Sequence, residues 1–255
     1  MGRWTGRWSE KWNLGRADDR IVPGFATTVC VMTSAGGGKA AVESADTESA
    51  RRLRELSTHR DKAVRAAVAR DPAAPTDLLA TLVADKHHLV RYAVAENPSP
   101  HAWTVALGAP DADVRVILAQ RRDVDGETLE RLIQAPEREV RVSVAASTDR
   151  ADVATRLARD PDQHVRAVVA TRPELLSTAD LESLAADTVA QVRAVAVQSR
   201  RLSSDTVTRL AGDRSGNVRF FTLEAHPERL DLAQALRDDK EADIADLARR
   251  LLPSR

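Results

Sequence analysis

Val90-Arg91-Tyr92-Ala93-Val94-Ala95-Glu96-Asn97-Pro98 recurs, in altered form, along most of the chain. A Val-Arg pair leading a small apolar run returns at Val64-Arg65, Val114-Arg115, Val140-Arg141, Val165-Arg166, Val192-Arg193 and Val218-Arg219. Successive valines are 26, 24, 26, 25, 27 and 26 residues apart, and one more step of 26 reaches Ile244-Ala245, a decayed eighth copy. A fixed period of this size marks a solenoid, in which each unit buries its apolar face only against its neighbours.

Counting from the valine as zero, position −8 reads Leu56, Leu82, Ala106, Leu132, Leu157, Leu184, Leu210 and Leu236. Position −11 reads Leu53, Leu79, Trp103, Leu129, Ala154, Leu181, Val207 and Ala233. Residues three apart share a helix face, so these columns predict the buried stripe of a first helix in each unit. Thr76-Asp77, Ser99-Pro100 and Ser177 with Asp180 supply helix-start chemistry. The valine opens a second helix, with Val68, Val94, Leu118, Val144, Val169 and Ala196 on the same side one turn later. Pro72, Pro98 and Pro173, eight residues after the valine, stop it. Each unit is therefore expected to be a longer helix, a turn, a short helix and a proline-marked return. Arg200 and His226 replace the proline in later units.

A leucine pair, an acid, then Val-Arg and small residues ending at a proline resembles the leucine-rich repeat variant family and, more broadly, HEAT-type repeats. The resemblance covers roughly residues 50 to 250 and is best at Asp160-Pro161-Asp162-Gln163-His164-Val165-Arg166-Ala167-Val168-Val169-Ala170 and at Val64–Pro72. It implies an all-α, right-handed superhelix of about eight two-helix units, with short and sometimes 3₁₀ second helices, and it implies no particular chemistry. Some members of that family carry a cysteine-rich iron–sulfur module; Cys30 is this chain's one cysteine, which excludes such a cluster and any internal disulfide.

Composition narrows the function classes. The chain has 38 basic and 38 acidic residues among 255, so it lacks the basic excess of a nucleic-acid binder. No run of about 18 apolar residues spans a membrane, and a cytoplasmic location is expected. The folded solenoid is expected to begin at Glu48. Residues 1–47 do not obey the repeat and are expected to be poorly ordered, with Met32 as an alternative natural start. Trp4, Trp8 and Trp12, four apart beside Arg3, Arg7 and Lys11, would suit a membrane or partner anchor on a helix, but Gly2, Gly6 and Gly15 weaken that helix. Gly36-Gly37-Gly38-Lys39 lacks both the spacing and the Ser/Thr of a phosphate loop and reads as a linker.

The arginines after the valine (Arg65, Arg91, Arg115, Arg141, Arg166, Arg193, Arg219) form a column that invites a phosphate-binding reading. An acid column opposes it. Position −5 holds Asp85, Asp160, Asp187, Asp213 and Asp239, and where that Asp is missing Asp61, Asp111 or Glu137 stands at −3. A carboxylate there accepts helix-start N–H groups and reaches an arginine, so a structural ladder is the expectation. Position +2 (Ala66, Tyr92, Val116, Val142, Ala167, Ala194, Phe220) is apolar, and beside it +6 includes Glu96, Gln120 and Glu224. On the helix expected to line the concave side, this pair of rows is either a partner groove or packing between units. The expected partner is a protein or peptide; no cofactor or metal is expected, because His59, His87, His88, His101, His164 and His226 show no ligand spacing. The competing reading is a nucleic-acid-binding or DNA-glycosylase-like solenoid using the arginine column, with Trp103 and Asp111 or Asp113 as its reactive groups. No Ser–His–Asp, Cys–His or paired-carboxylate arrangement supports an enzyme.

Overall fold

The computed structural model describes residues 38–253 and is all-α. The chain divides into a unit ending at Val42 and a second, Glu43–Arg255, which carries the repeats. The helices come in eight successive pairs: α1 Gly38–Ser57 with α2 Lys62–Arg70, α3 Thr76–Leu82 with α4 His88–Glu96, α5 Pro100–Leu107 with α6 Ala112–Ala119. Then follow α7 Gly126–Ile133 with α8 Arg138–Ser147, α9 Ala151–Leu157 with α10 Gln163–Ala170, and α11 Thr178–Ala185 with α12 Ala190–Ala196. The last two pairs are α13 Ser204–Ala211 with α14 Gly216–Ala225, and α15 Leu230–Ala235 with α16 Ala242–Leu251. Each second helix packs on the second helices before and after it, more closely than first helices pack on one another. That difference puts the second-helix row on the inside of any bend in the stack.

The columns read from the sequence make the core. Val90, Val114, Val140, Val165, Val192, Val218 and Ile244 are buried, as are the leucines at 82, 132, 157, 184, 210 and 236. Each fully buried Leu or Val contributes about 1.5–3 kcal/mol. Position +5, a run of Ala69, Ala95, Ala119, Ala145, Ala170 and Val197, is buried as well and lets neighbouring helices approach closely.

Helix lengths differ from the expectation of a long first and a short second helix. The second helices α2, α4, α8, α14 and α16 run 9 or 10 residues, whereas α3, α9 and α15 run 7, 7 and 6. A first helix must present only two buried turns before the chain reverses. α2 and α4 continue to a proline: Asp71 and Asn97, just ahead of Pro72 and Pro98, sit in extended backbone (ψ 122° and 133°), which a following proline favours, whereas α8 runs 10 residues without one. The second helices are α throughout, and the 3₁₀ turn Val197–Ser199 extends α12.

The first helix also begins earlier than expected, at Gly38, because Lys39-Ala40-Ala41-Val42-Glu43 consists largely of good helix formers. The segment holding Trp4, Trp8, Trp12, Cys30 and Met32 lies outside the described residues. Of the expected start signals, Ser177 and Asp180 form a reciprocal capping box. Ser99 precedes Pro100 but turns its hydroxyl to the Pro72 carbonyl at 3.1 Å instead. Thr76 lies inside α3, after Pro75. Among the described residues no helix is long and apolar enough to cross a membrane.

Candidate binding face and the arginine ladder

Each arginine of the column begins on the first turn of a second helix and crosses to the next unit. Arg65 Nε and Nη2 donate to the two carboxylate oxygens of Asp85 at 2.7 and 3.0 Å. Arg141 does the same to Asp160 at 2.8 and 3.1 Å, and Arg166 to Asp187 at 2.6 and 3.0 Å. Arg193 on Asp213 and Arg219 on Asp239 repeat the fork at 2.7 Å for every bond. Where the acid stands at −3, the fork narrows: Arg91 Nε and Nη2 converge on one oxygen of Asp111 at 2.8 and 2.7 Å. Arg115 places only Nη2 on Glu137, at 2.5 Å.

The remaining guanidinium nitrogen closes the pattern. Nη1 of each arginine donates to a backbone carbonyl six residues back: Arg91 to Asp85, Arg166 to Asp160, Arg193 to Asp187 and Arg219 to Asp213, at 2.7–2.9 Å. Asp85, Asp160, Asp187 and Asp213 thus each receive the previous unit's arginine on the carboxylate and their own unit's arginine on the carbonyl. Each carboxylate also accepts a backbone N–H two residues on, as Asp85 does from His87 and Asp187 from Val189, both at 2.8 Å. The fork from Arg65 holds the Asp85 carboxyl below the usual carboxylate range, against an opposing push from burial. For Asp187 burial is the largest influence and pushes up, but Arg166 and the Val189 N–H together outweigh it and leave the group depressed. The pairs are sheltered: Arg193 and Asp213 keep 7% and 9% of their side-chain exposure.

A second seam runs along the opposite ends of the second helices, and the column analysis missed it. Position +7 of one unit donates to the terminal carbonyls of the preceding second helix. Asn97 Nδ2 reaches the carbonyls of Ala69 and Asp71, both at 2.8 Å. Arg121 Nη1 reaches Glu96 at 2.7 Å, and Ser147 Oγ reaches Ala119 at 2.6 Å. Arg172 Nη1 bonds Ala146 at 3.0 Å and Thr148 as well. The last carbonyls of a helix have no partner inside it, so these four units cap their predecessors. The available signal is a position that is polar from Asp71 through Ser199 while its residue type changes, and that turns to Ala225 only in the seventh unit.

The +2 row lies in the seams between adjacent second helices. Ala66 and Ala194 are buried there. Tyr92, Val116, Val142, Ala167 and Phe220 are half-buried against the core, with one edge open. Tyr92 donates its hydroxyl to Asp113 of the next unit at 3.0 Å, and Phe220 meets Phe221 edge-on at 5.7 Å between centroids. Glu96, Gln120 and Glu224 at +6 are exposed on the ridges beside these seams. Glu96 accepts from Arg70 of the preceding unit at 2.5 Å. Trp103 is a core residue, 5% exposed, with its indole N–H on the Asn97 carbonyl at 2.9 Å. Of the other two residues of the glycosylase-like reading, Asp111 is held by Arg91, and Asp113 is exposed and accepts from Tyr92. Among the described residues no three His, Cys, Asp or Glu side chains converge as metal ligands.

Paired helices stacked by a repeating arginine–carboxylate rung define an α-helical repeat protein. The structure is similar to that of a solved leucine-rich repeat variant with a novel repetitive structural motif, at 24% identity and a TM-score of 0.59, covering 81% of this chain and 83% of that one. An engineered protein's crystal structure aligns over 80% of this chain and 95% of its own, at 15% identity and a TM-score of 0.23. No family model matches the chain, and no curated protein does.

Proposed function

We propose that the protein is a non-enzymatic scaffold that binds a protein or peptide along the row of its second helices. The observation that carries this reading is the line of half-buried apolar side chains, Tyr92, Val116, Val142 and Phe220, flanked by exposed Glu96, Gln120 and Glu224. Half-buried aromatics beside polar ridges are the composition of an interface core and rim. The exposed amides Gln120, Gln163, Gln191 and Asn217 make no side-chain hydrogen bond to the described residues, so their donors and acceptors face outward for a partner's backbone. The arginines are a poor basis for nucleic-acid binding, because each already serves a carboxylate and a carbonyl; releasing these seven rungs would cost more than exposed phosphate contacts return.

The test is affinity capture from the source cells with wild type and with Tyr92→Ala/Phe220→Ala, both checked for equal helicity. Specific partners should be lost with the double variant. Retention of every partner refutes the face, and a low-salt DNA gel shift that moves in proportion to protein would favour the nucleic-acid reading instead.

A further inference from the structure

Position −1, the residue before each valine, changes character along the stack. It is acidic in the third and fourth units, at Asp113 and Glu139, and again in the last, at Asp243. In the three units between (α9 to α14) it is His164, Gln191 and Asn217. All three are exposed, and none makes a side-chain hydrogen bond among the described residues. One turn on, Val168, Val195 and the pair Phe220–Phe221 are half-buried against the core with one side open. Residues three and four apart share a helix face, so each polar group borders the apolar one of its own unit.

The same stretch is nearly free of charge. At positions −1, +2, +3 and +6 of these three units only Glu224 is charged, in a chain whose residues are 30% charged. The second helices therefore present, over three consecutive units, an apolar floor edged by uncharged groups with open hydrogen-bonding capacity.

Spacing selects the backbone that fits this edge. Packed helices lie about 8–10 Å apart, so the edge repeats at that interval. An α-helical ligand repeats about every 5.4 Å, and a β-strand about every 6.7 Å; both fall out of step with the units. A polyproline II helix completes its three-residue turn in about 9.3 Å. It returns the same side chain and the same carbonyl to each successive unit. Its backbone makes no internal hydrogen bonds, so those carbonyls are open to the amide N–H groups of Gln191 and Asn217 and to the ring N–H of His164.

We infer that the fifth to seventh units bind an uncharged, proline-rich segment in the polyproline II conformation, one turn per unit, with an apolar side chain at every third residue on Val168, Val195 and Phe220. The inference rests on the second-helix face being the binding surface and gives that face its ligand class. A charged side chain in the segment would lose water over a floor that offers no opposite charge.

The test is calorimetric titration of the full chain with four peptides, each capped at both ends. One is four repeats of Pro-Pro-Leu, and the second has the same composition with its leucines off the three-residue period. The others are four repeats of Pro-Pro-Glu and of Pro-Pro-Lys. The first should bind saturably with a Kd below about 1 mM, and the other three at least about tenfold more weakly. The double variant Gln191→Ala/Asn217→Ala, at exposed positions outside the core and the rungs, should weaken binding about tenfold. Gln120→Ala, in the third unit, should leave it unchanged. Absence of saturable binding by the Pro-Pro-Leu peptide overturns the proposal. So does equal binding by the off-period or a charged peptide, indifference to the double variant, or an equal loss from Gln120→Ala. Any of these leaves the face itself standing where capture still depends on Tyr92 and Phe220; capture indifferent to that pair removes the face.

Discussion

Arg193 and Asp213 are 20 residues apart in the chain yet share two parallel hydrogen bonds of 2.7 Å. Both are sheltered from water, so removing one partner strands the other as a buried charge. Arg193→Ala is expected to cost about 3 kcal/mol. Arg91→Ala should cost less, about 1 kcal/mol, because Arg91 and Asp111 keep 23% and 24% exposure and only one carboxylate oxygen takes the contact. Urea unfolding followed by circular dichroism, with the two variants beside wild type, checks both the size and the order of the losses.

The ladder also sets the response to acid. The Arg65 fork depresses Asp85 and the Arg219 fork depresses Asp239; in each the arginine outweighs the opposing effect of burial. A carboxyl whose folded pKa lies below its unfolded value, about 3.9, binds fewer protons in the folded state. Its contribution is therefore present above about pH 4 and is lost as the pH falls through the depressed folded value. The melting temperature should be flat from about pH 5 to 8 and fall steeply below about pH 4. Asp239→Asn should melt lower at neutral pH and show a shallower acid limb; an unchanged limb would remove the rungs from the account.

What the sequence exposed and what it concealed divide along physical lines. The valine and leucine columns were legible because a solenoid repeats its burial pattern in the letters themselves. The rungs were legible because every Val-Arg is preceded by an acid at −5 or −3, and opposite charges at a fixed offset suggest pairing. The +7 seam was hidden: Asn97, Arg121, Ser147 and Arg172 share no residue type, and their acceptors are backbone carbonyls, which no sequence displays. The length of the second helices was misjudged because a proline marks where a helix must stop, while nothing as sharp marks where the first helices end. Two uses stayed open for the +2 row because Tyr92 and Phe220 occupy a seam, partly packed and partly open.

The +7 seam yields its own measurement. Asn97 is fully buried and gives both amide hydrogens to carbonyls of the unit before it. Asn97→Ala leaves those two carbonyls without donors and is expected to cost about 2–3 kcal/mol. Asn97→Asp should be at least as harmful, since a carboxylate facing two carbonyl oxygens replaces attraction with repulsion. Ser99→Ala, which removes bonds at a partly solvated site, should stay below about 1 kcal/mol. Thermal melts of the three variants test the ranking, and an Asn97→Ala loss no larger than that of Ser99→Ala would mean that water caps those helix ends instead.

Repeat averaging would put a proline at position 200, because Pro72, Pro98 and Pro173 occupy that place in their units. The structure argues for the opposite change. Arg200 has φ 56° and ψ 19°, the one left-handed non-glycine residue among those described, at the end of the 3₁₀ turn that extends α12. A side chain there carries a steric cost of about 1–2 kcal/mol, whereas proline is confined near φ −65° and cannot adopt it. Arg200→Gly relieves the clash, offset in part by the greater freedom of glycine in the unfolded chain. It also gives up the pair with Glu228, which at 59% and 54% exposure is worth at most about 1 kcal/mol. Arg200→Gly should therefore hold or slightly raise the melting temperature, while Arg200→Pro should lower it by an amount comparable to losing a rung. A melting curve in which the proline variant matches wild type would show that the turn after α12 takes the same right-handed path as its counterparts.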